Sequence, residues 1–149
     1  FMVVIGTVLL GRFMALSGVP GFITSWFVSF GANDLGVILA VAVVYLILGC
    51  FLDSIGLLLL TLPIFLPMAR DTGIDLIYFC IILVKLLELG LVTPPVGLNV
   101  YVTKSALGNL VPLPTIFRGV AWFVAADLIT LAMLIAFPWI TLTLPGLLD

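Results

Sequence analysis

The chain has 149 residues, of which 64% are hydrophobic and only 8% charged; five Lys/Arg stand against seven Asp/Glu, for a net charge of -2, and there is no histidine. A soluble domain carries about 25% charged residues, so this composition, with a mean hydropathy of +1.49, excludes an ordinary soluble fold. It points to an integral membrane protein in contact with the lipid bilayer. The apolar stretches are long and helix-compatible rather than short and alternating, so the expected class is all-α and polytopic, not a membrane β-barrel. No basic stripe is present, so nucleic acid is excluded as a partner.

Phe1 to about Ser17 reads as a membrane helix, with Arg12 able to snorkel toward an interface. The chain opens on Phe, inside an apolar run and without a signal-peptide pattern, so it reads as the C-terminal part of a longer protein. Gly18-Val19-Pro20-Gly21 is a breaker, and the aromatic piece Phe22 to Phe30 fits an interfacial arm. Gly31 to Asp34 is a polar turn in which Asp34 can cap the next helix.

Leu35 to Leu52 is an apolar run of 18 residues, and a second run continues from Ile55 to Met68 past Asp53 and Ser54. Two geometries are open: an ordinary loop between two spanning helices, or a re-entrant hairpin with arms Leu35–Leu48 and Ile55–Met68. The second arm, about 21 Å as a helix, is short for a core of roughly 30 Å. The tip also carries an acid and a hydroxyl but no basic residue, and both features favour the hairpin. Cys50 and Cys80 lie in apolar segments and read as buried free thiols.

Residues 69–75 form a polar loop, and Leu76 to Val92 reads as a membrane helix. Its Lys85 and Glu88, three residues apart, share a face and should pair, either as a structural bridge or as part of a proton path. Glu88-Leu89-Gly90-Leu91-Val92-Thr93-Pro94-Pro95-Val96-Gly97-Leu98-Asn99 then breaks the helix. Neither proline donates a backbone hydrogen bond, and Pro94 pushes Thr93 out of helical geometry. In hydrocarbon such a defect is tolerated only against protein or a water-filled cavity. A half-helix follows from Leu98 to about Leu107, then a loop from Gly108 to Thr115, then a last span from Phe117 to Leu142 that kinks or ends near Pro138. Asp127, within that span, stands apart from other charges and has no assignable role. Lys/Arg counting puts the 108–118 loop in the cytoplasm and the C-terminus outside.

A helix ending in the membrane offers bare carbonyls, and one beginning there offers bare N–H groups. Carbonyls of Gly49, Gly90 and Val96 with the Thr93 hydroxyl are hard oxygen donors suited to Na⁺. The helix starts near Ser54 and near Asn99 suit a carboxylate, so Asp53, Ser54, Pro94, Pro95 and Asn99 are the candidate substrate-binding residues. Such pairing of broken helices is the recurring design of secondary transporters. Bland readings stand beside each choice: the proline pair as a mere kink, Thr93 as a cap, Asp53 as a cap of the second arm. Catalysis is unsupported, because no histidine or cysteine cluster offers a zinc site or a Ser–His dyad.

Gly49-x-Phe51-Leu52-Asp53, Leu60-Thr61-Leu62-Pro63-Ile64-Phe65-Leu66-Pro67, Gly73-Ile74-Asp75 and the stretch from Glu88 to Asn99, in this order, resemble the large membrane subunit of TRAP transporters, the tripartite ATP-independent periplasmic carboxylate transporters of bacteria. The resemblance implies one inverted repeat of an elevator-type fold in the bacterial inner membrane. Residues 1–34 would be a scaffold helix and arm, 35–107 a transport domain made of a hairpin (35–68) and a broken helix (76–107), and 108–149 a loop and last helix. It implies a Na⁺ site where the tip meets the break, at Gly49, Gly90, Thr93 and Val96. Lys85 departs from the uncharged polar residue expected at its place. It also implies a small membrane subunit and a periplasmic substrate-binding protein as partners, with a C4-dicarboxylate or sugar acid as substrate. A Na⁺- or H⁺-coupled anion transporter without a binding protein, and a non-transporting scaffold subunit, are the alternatives.

Overall fold

A computed structural model of the chain describes residues 2–19, 21–22, 25 and 34–147. Most of the expected interfacial arm at 22–30 and the turn before Asp34 lie outside the described residues. The regular elements among the described residues are all helices: α1 (Met2–Ser17), α2 (Asp34–Gly49), α3 (Ser54–Asp71), α4 (Leu76–Val92), α5 (Leu98–Leu107), α6 (Leu113–Ala136) and α7 (Trp139–Gly146). Two of these, α3 and α6, are long and apolar enough to cross a membrane by length and composition.

The core is built on α4. Its buried residues Phe79, Ile82, Leu83, Leu86 and Gly90 recur at helical spacing and meet a matching stripe on α2, Val37, Ile38, Val41, Tyr45 and Gly49. Against lipid, apolar burial drives helix association weakly, so close packing and interhelical hydrogen bonds carry the contact. Both stripes end in glycine, which lets the two backbones touch. Helix α3 closes over this pair with Leu57, Thr61, Phe65 and Met68. The Tyr45 hydroxyl bonds the Thr61 hydroxyl, which itself donates to the Leu57 carbonyl at 2.8 Å, so the tyrosine is the donor across the two helices. On the outer side Gly11 of α1 receives the Pro63 ring, whose Cγ would lie 3.3 Å from a Cβ there. Helix α6 is tied to α4 by the Tyr78 hydroxyl, which donates to the Ile135 carbonyl at 3.1 Å.

Helices α4 and α5 begin and end as the sequence predicts. Helix α3 does not: it starts at Ser54 and runs through Asp71 rather than from Ile55 to Met68, so its length is about 27 Å, not 21 Å. Met68 and Ala69 are fully buried, which pins the extra turn. The Thr72 hydroxyl and backbone N–H then satisfy the Met68 carbonyl. Pro63 and Pro67 stay inside the helix, each deleting one ladder bond without ending it. The polar loop expected at 69–75 accordingly shrinks to 72–75. Helix α6 starts at Leu113 instead of Phe117, because Pro114 falls in its first turn, where a missing N–H costs nothing. It stops at Ala136, before Phe137-Pro138, and the short α7 follows. Asp34 is the first residue of α2. Cys50 is buried as expected, but Cys80 is exposed, on a flank of α4 that lines an open groove.

Candidate functional site

The break is written by hydrogen-bond arithmetic. In an α-helix the N–H of residue i bonds the carbonyl of i−4, so the donors owed to Gly90 and Leu91 would come from Pro94 and Pro95, which have none. The carbonyl before them is satisfied twice, since Leu89 accepts from the Thr93 N–H at 3.0 Å and from the Thr93 hydroxyl at 2.6 Å. Thr93 is thus the C-cap of α4, and its hydroxyl oxygen, having spent its hydrogen, keeps lone pairs to offer. The chain turns back through Gly97, whose φ of +57° is natural only for glycine, and α5 starts there with no side-chain cap. A Cβ on Gly97 would stand 3.1 Å from the Val92 carbonyl oxygen. Val96, in this turn, is half-buried.

The end of α2 lies against this break. A Cβ on Gly90 would fall 2.8 Å from the Gly49 Cα and 3.1 Å from the Gly49 carbonyl oxygen, closer than real contacts allow. The Cys50 thiol reaches from the same turn to the Leu46 carbonyl at 3.0 Å and the Pro94 carbonyl at 3.4 Å. The structure therefore brings Gly49, Gly90 and, one turn on, Thr93 into one place. Beside them is a cavity of about 360 Å³ bounded by Cys50, Leu89, Thr93, Pro95, Val124 and Leu128, apolar apart from the thiol and hydroxyl.

A sequence profile described as "Tripartite ATP-independent periplasmic transporter, DctM component" matches residues 1–140 of this chain. The chain belongs to the TRAP transporter large permease family. It is 34% identical over 146 residues to the sialic acid TRAP transporter large permease protein SiaM of Vibrio cholerae, covering 98% of this chain and 34% of that protein. Over 144 residues it is 34% identical to the C4-dicarboxylate TRAP transporter large permease protein DctM of Pseudomonas aeruginosa, with 97% and 33% covered. The sialic acid TRAP transporter permease protein SiaT of Haemophilus influenzae is 31% identical over 138 residues, 93% of this chain and 22% of that one. The chain thus spans about a third of the length of the first two relatives. The relatives are named as transporter permeases, not as enzymes.

In this TRAP permease chain the candidate substrate residues are not gathered as the sodium candidates are. Asp53 is the N-cap of α3: its Oδ2 accepts from the Gly56 N–H at 2.9 Å, the bland reading of that residue. The Ser54 hydroxyl is buried with no partner among the described residues. Pro94, Pro95 and Asn99 are exposed. Among the described residues no hydrogen bond or ion pair links Asp53 or Ser54 to Asn99. Two features escaped the sequence. Asp127 is not isolated: Lys85 lies 2.7 Å from it and 3.2 Å from Glu88, so the expected Lys85–Glu88 pair is one arm of a triad joining α4 to α6. The Tyr45–Thr61 bond was equally hidden, although two polar residues on otherwise apolar helical stripes were a usable signal.

Proposed function

We propose that this chain is the C-terminal, sodium-binding part of a TRAP permease that imports small organic acids through the bacterial inner membrane. One observation carries the reading: the Gly49 backbone rests on Gly90 where Pro94 and Pro95 strip two carbonyls of their donors. Oxygen donors without hydrogen-bond partners at a packed helix break suit a dehydrated Na⁺. Gly49, Gly90, Thr93 and Val96 supply them in this proposal. Sodium is here a co-substrate, and its charge lowers the cost of bringing an anion into the same region.

The relatives named for sialic acid and for C4-dicarboxylates share a carboxylate group. Asp53 places a negative charge at the start of α3 and occupies one of its N–H groups, which weakens that end as an anion site. Helix α5 starts at a glycine with no side-chain cap, so its N–H groups, with the Asn99 amide, are the better donors to a carboxylate. In this proposal α2 and α3 form the re-entrant hairpin of one inverted repeat in an elevator-type carrier. A small membrane subunit and a periplasmic binding protein complete it.

The test is Thr93→Ala in the full-length permease with its partners, read as uptake over a sodium titration. The sodium concentration for half-maximal uptake should rise about tenfold or more, the scale of losing a supporting group at a metal site, with membrane insertion unchanged. An unshifted sodium curve would reject the site.

A further inference from the structure

Helix α4 shows its second face away from α2, and that face is a stripe. Ile77, Ile81, Val84 and Glu88 follow one another at spacings of four, three and four residues, and each is exposed, Glu88 to 61% of its side chain. Beside the stripe runs an open groove of about 550 Å³ between α4 and α6, lined by Ile77, Cys80, Ile81, Val84, Lys85 and Leu134. Lys85 closes one end of it. Its ammonium is shared between Asp127 at 2.7 Å and Glu88 at 3.2 Å, so one cation serves two carboxylates and the cluster carries a net charge of -1. Among the described residues no other cation pairs with Glu88. Glu88 stands about 18 Å along α4 from its start, on the same face as the apolar stripe.

We propose that this groove receives a further membrane helix of the permease polypeptide, from outside residues 1–149, that is apolar along the groove and carries one lysine or arginine level with Glu88. The two halves of the surface exclude simpler occupants. An acyl chain fits the Ile77–Val84 wall but offers nothing to a carboxylate, which in hydrocarbon needs a partner. Water would solvate Glu88 but leave the apolar wall wet. A helix with a single cation meets both demands and brings the cluster to neutrality. The source is argued from length: the first relatives are about three times as long as this chain, so most of a TRAP permease is available to cover it within the same polypeptide.

The experiment places a photo-crosslinking residue at Ile77 or Ile81, away from the charges, in the full-length permease held with its small subunit in lipid vesicles. The expected product is an internal cross-link to a peptide outside residues 1–149, with a lysine or arginine inside an apolar run. A cross-link to the small subunit, to a second copy, to residues 1–149 or to lipid alone overturns the proposal. Glu88→Lys should then lower uptake by about tenfold or more, through like-charge repulsion against the mapped cation. Changing that cation to glutamate in the same protein should restore uptake to within about threefold of wild type. Wild-type uptake by Glu88→Lys, or no recovery in the swapped pair, overturns the pairing.

Discussion

Replacing Gly90 with alanine tests the packing on which the sodium reading stands. The new methyl would lie 2.8 Å from the Gly49 Cα, 2.9 Å from its carbonyl carbon and 3.1 Å from its oxygen. Carbon atoms settle at about 3.5–4.0 Å, so the end of α2 must retreat by about 1 Å. Backbone cannot swing aside as a long side chain can, and overpacking of this kind costs about 1–3 kcal/mol. The retreat also pulls the Gly49 carbonyl from the bare oxygens at the break, so sodium affinity should fall along with stability. The assay pairs thermal unfolding of the full-length permease in detergent, with and without sodium, with uptake over a sodium titration. Gly119→Ala is the control, because nothing lies within 4 Å of a Cβ there and the same added methyl meets open space. If Gly90→Ala unfolds and transports like the control, the Gly49–Gly90 contact is not what holds the site.

Asp53→Ala should lose about 1 kcal/mol of stability, the worth of an N-cap, whereas Asp53→Asn should lose little and keep the sodium dependence of uptake; a collapse of sodium dependence in Asp53→Asn would make this carboxylate a ligand. Tyr45→Phe removes a buried hydrogen bond worth about 0.5–1.5 kcal/mol, while Thr61→Val leaves the tyrosine hydroxyl buried without an acceptor and should cost more, about 1–3 kcal/mol. Thermal unfolding of the two variants checks that order. Lys85→Met should destabilise more than Glu88→Gln, since it leaves two carboxylates facing each other without their shared cation; equal melting shifts would show that the triad is not coupled.

What the sequence makes legible here is whatever the backbone itself encodes. The limits of α4 and α5 follow from Asp75, whose side chain accepts from the Ile77 and Tyr78 N–H groups, and from Thr93, the two prolines and Gly97, because caps, missing N–H groups and a positive φ act within a few residues. The meeting of Gly49 with Gly90 was reachable only through the family resemblance. The end of α3 is hidden because the apolar run stops at Met68 and Arg70-Asp71 look like loop, yet the buried Met68 and Ala69 carry the helix on to Asp71. The start of α6 was misread because Pro114 marks a loop when isolated and a first turn when a helix follows. Asp127 found its partner on α4, 42 residues back, and no local pattern encodes a distance of that kind. The Asp53 carboxylate shows the converse: cap and ligand look alike in sequence, and only the Gly56 N–H at 2.9 Å separates them.

A bend produced by crowding can straighten when its neighbours move apart, but the gap after Val92 cannot heal. Pro94 and Pro95 withhold hydrogens that no torsion can restore, so the same two oxygens stay unclaimed however the surrounding bundle rearranges. In the sodium-binding reading proposed above, an ion held there would meet the same main-chain oxygens in every arrangement of the bundle.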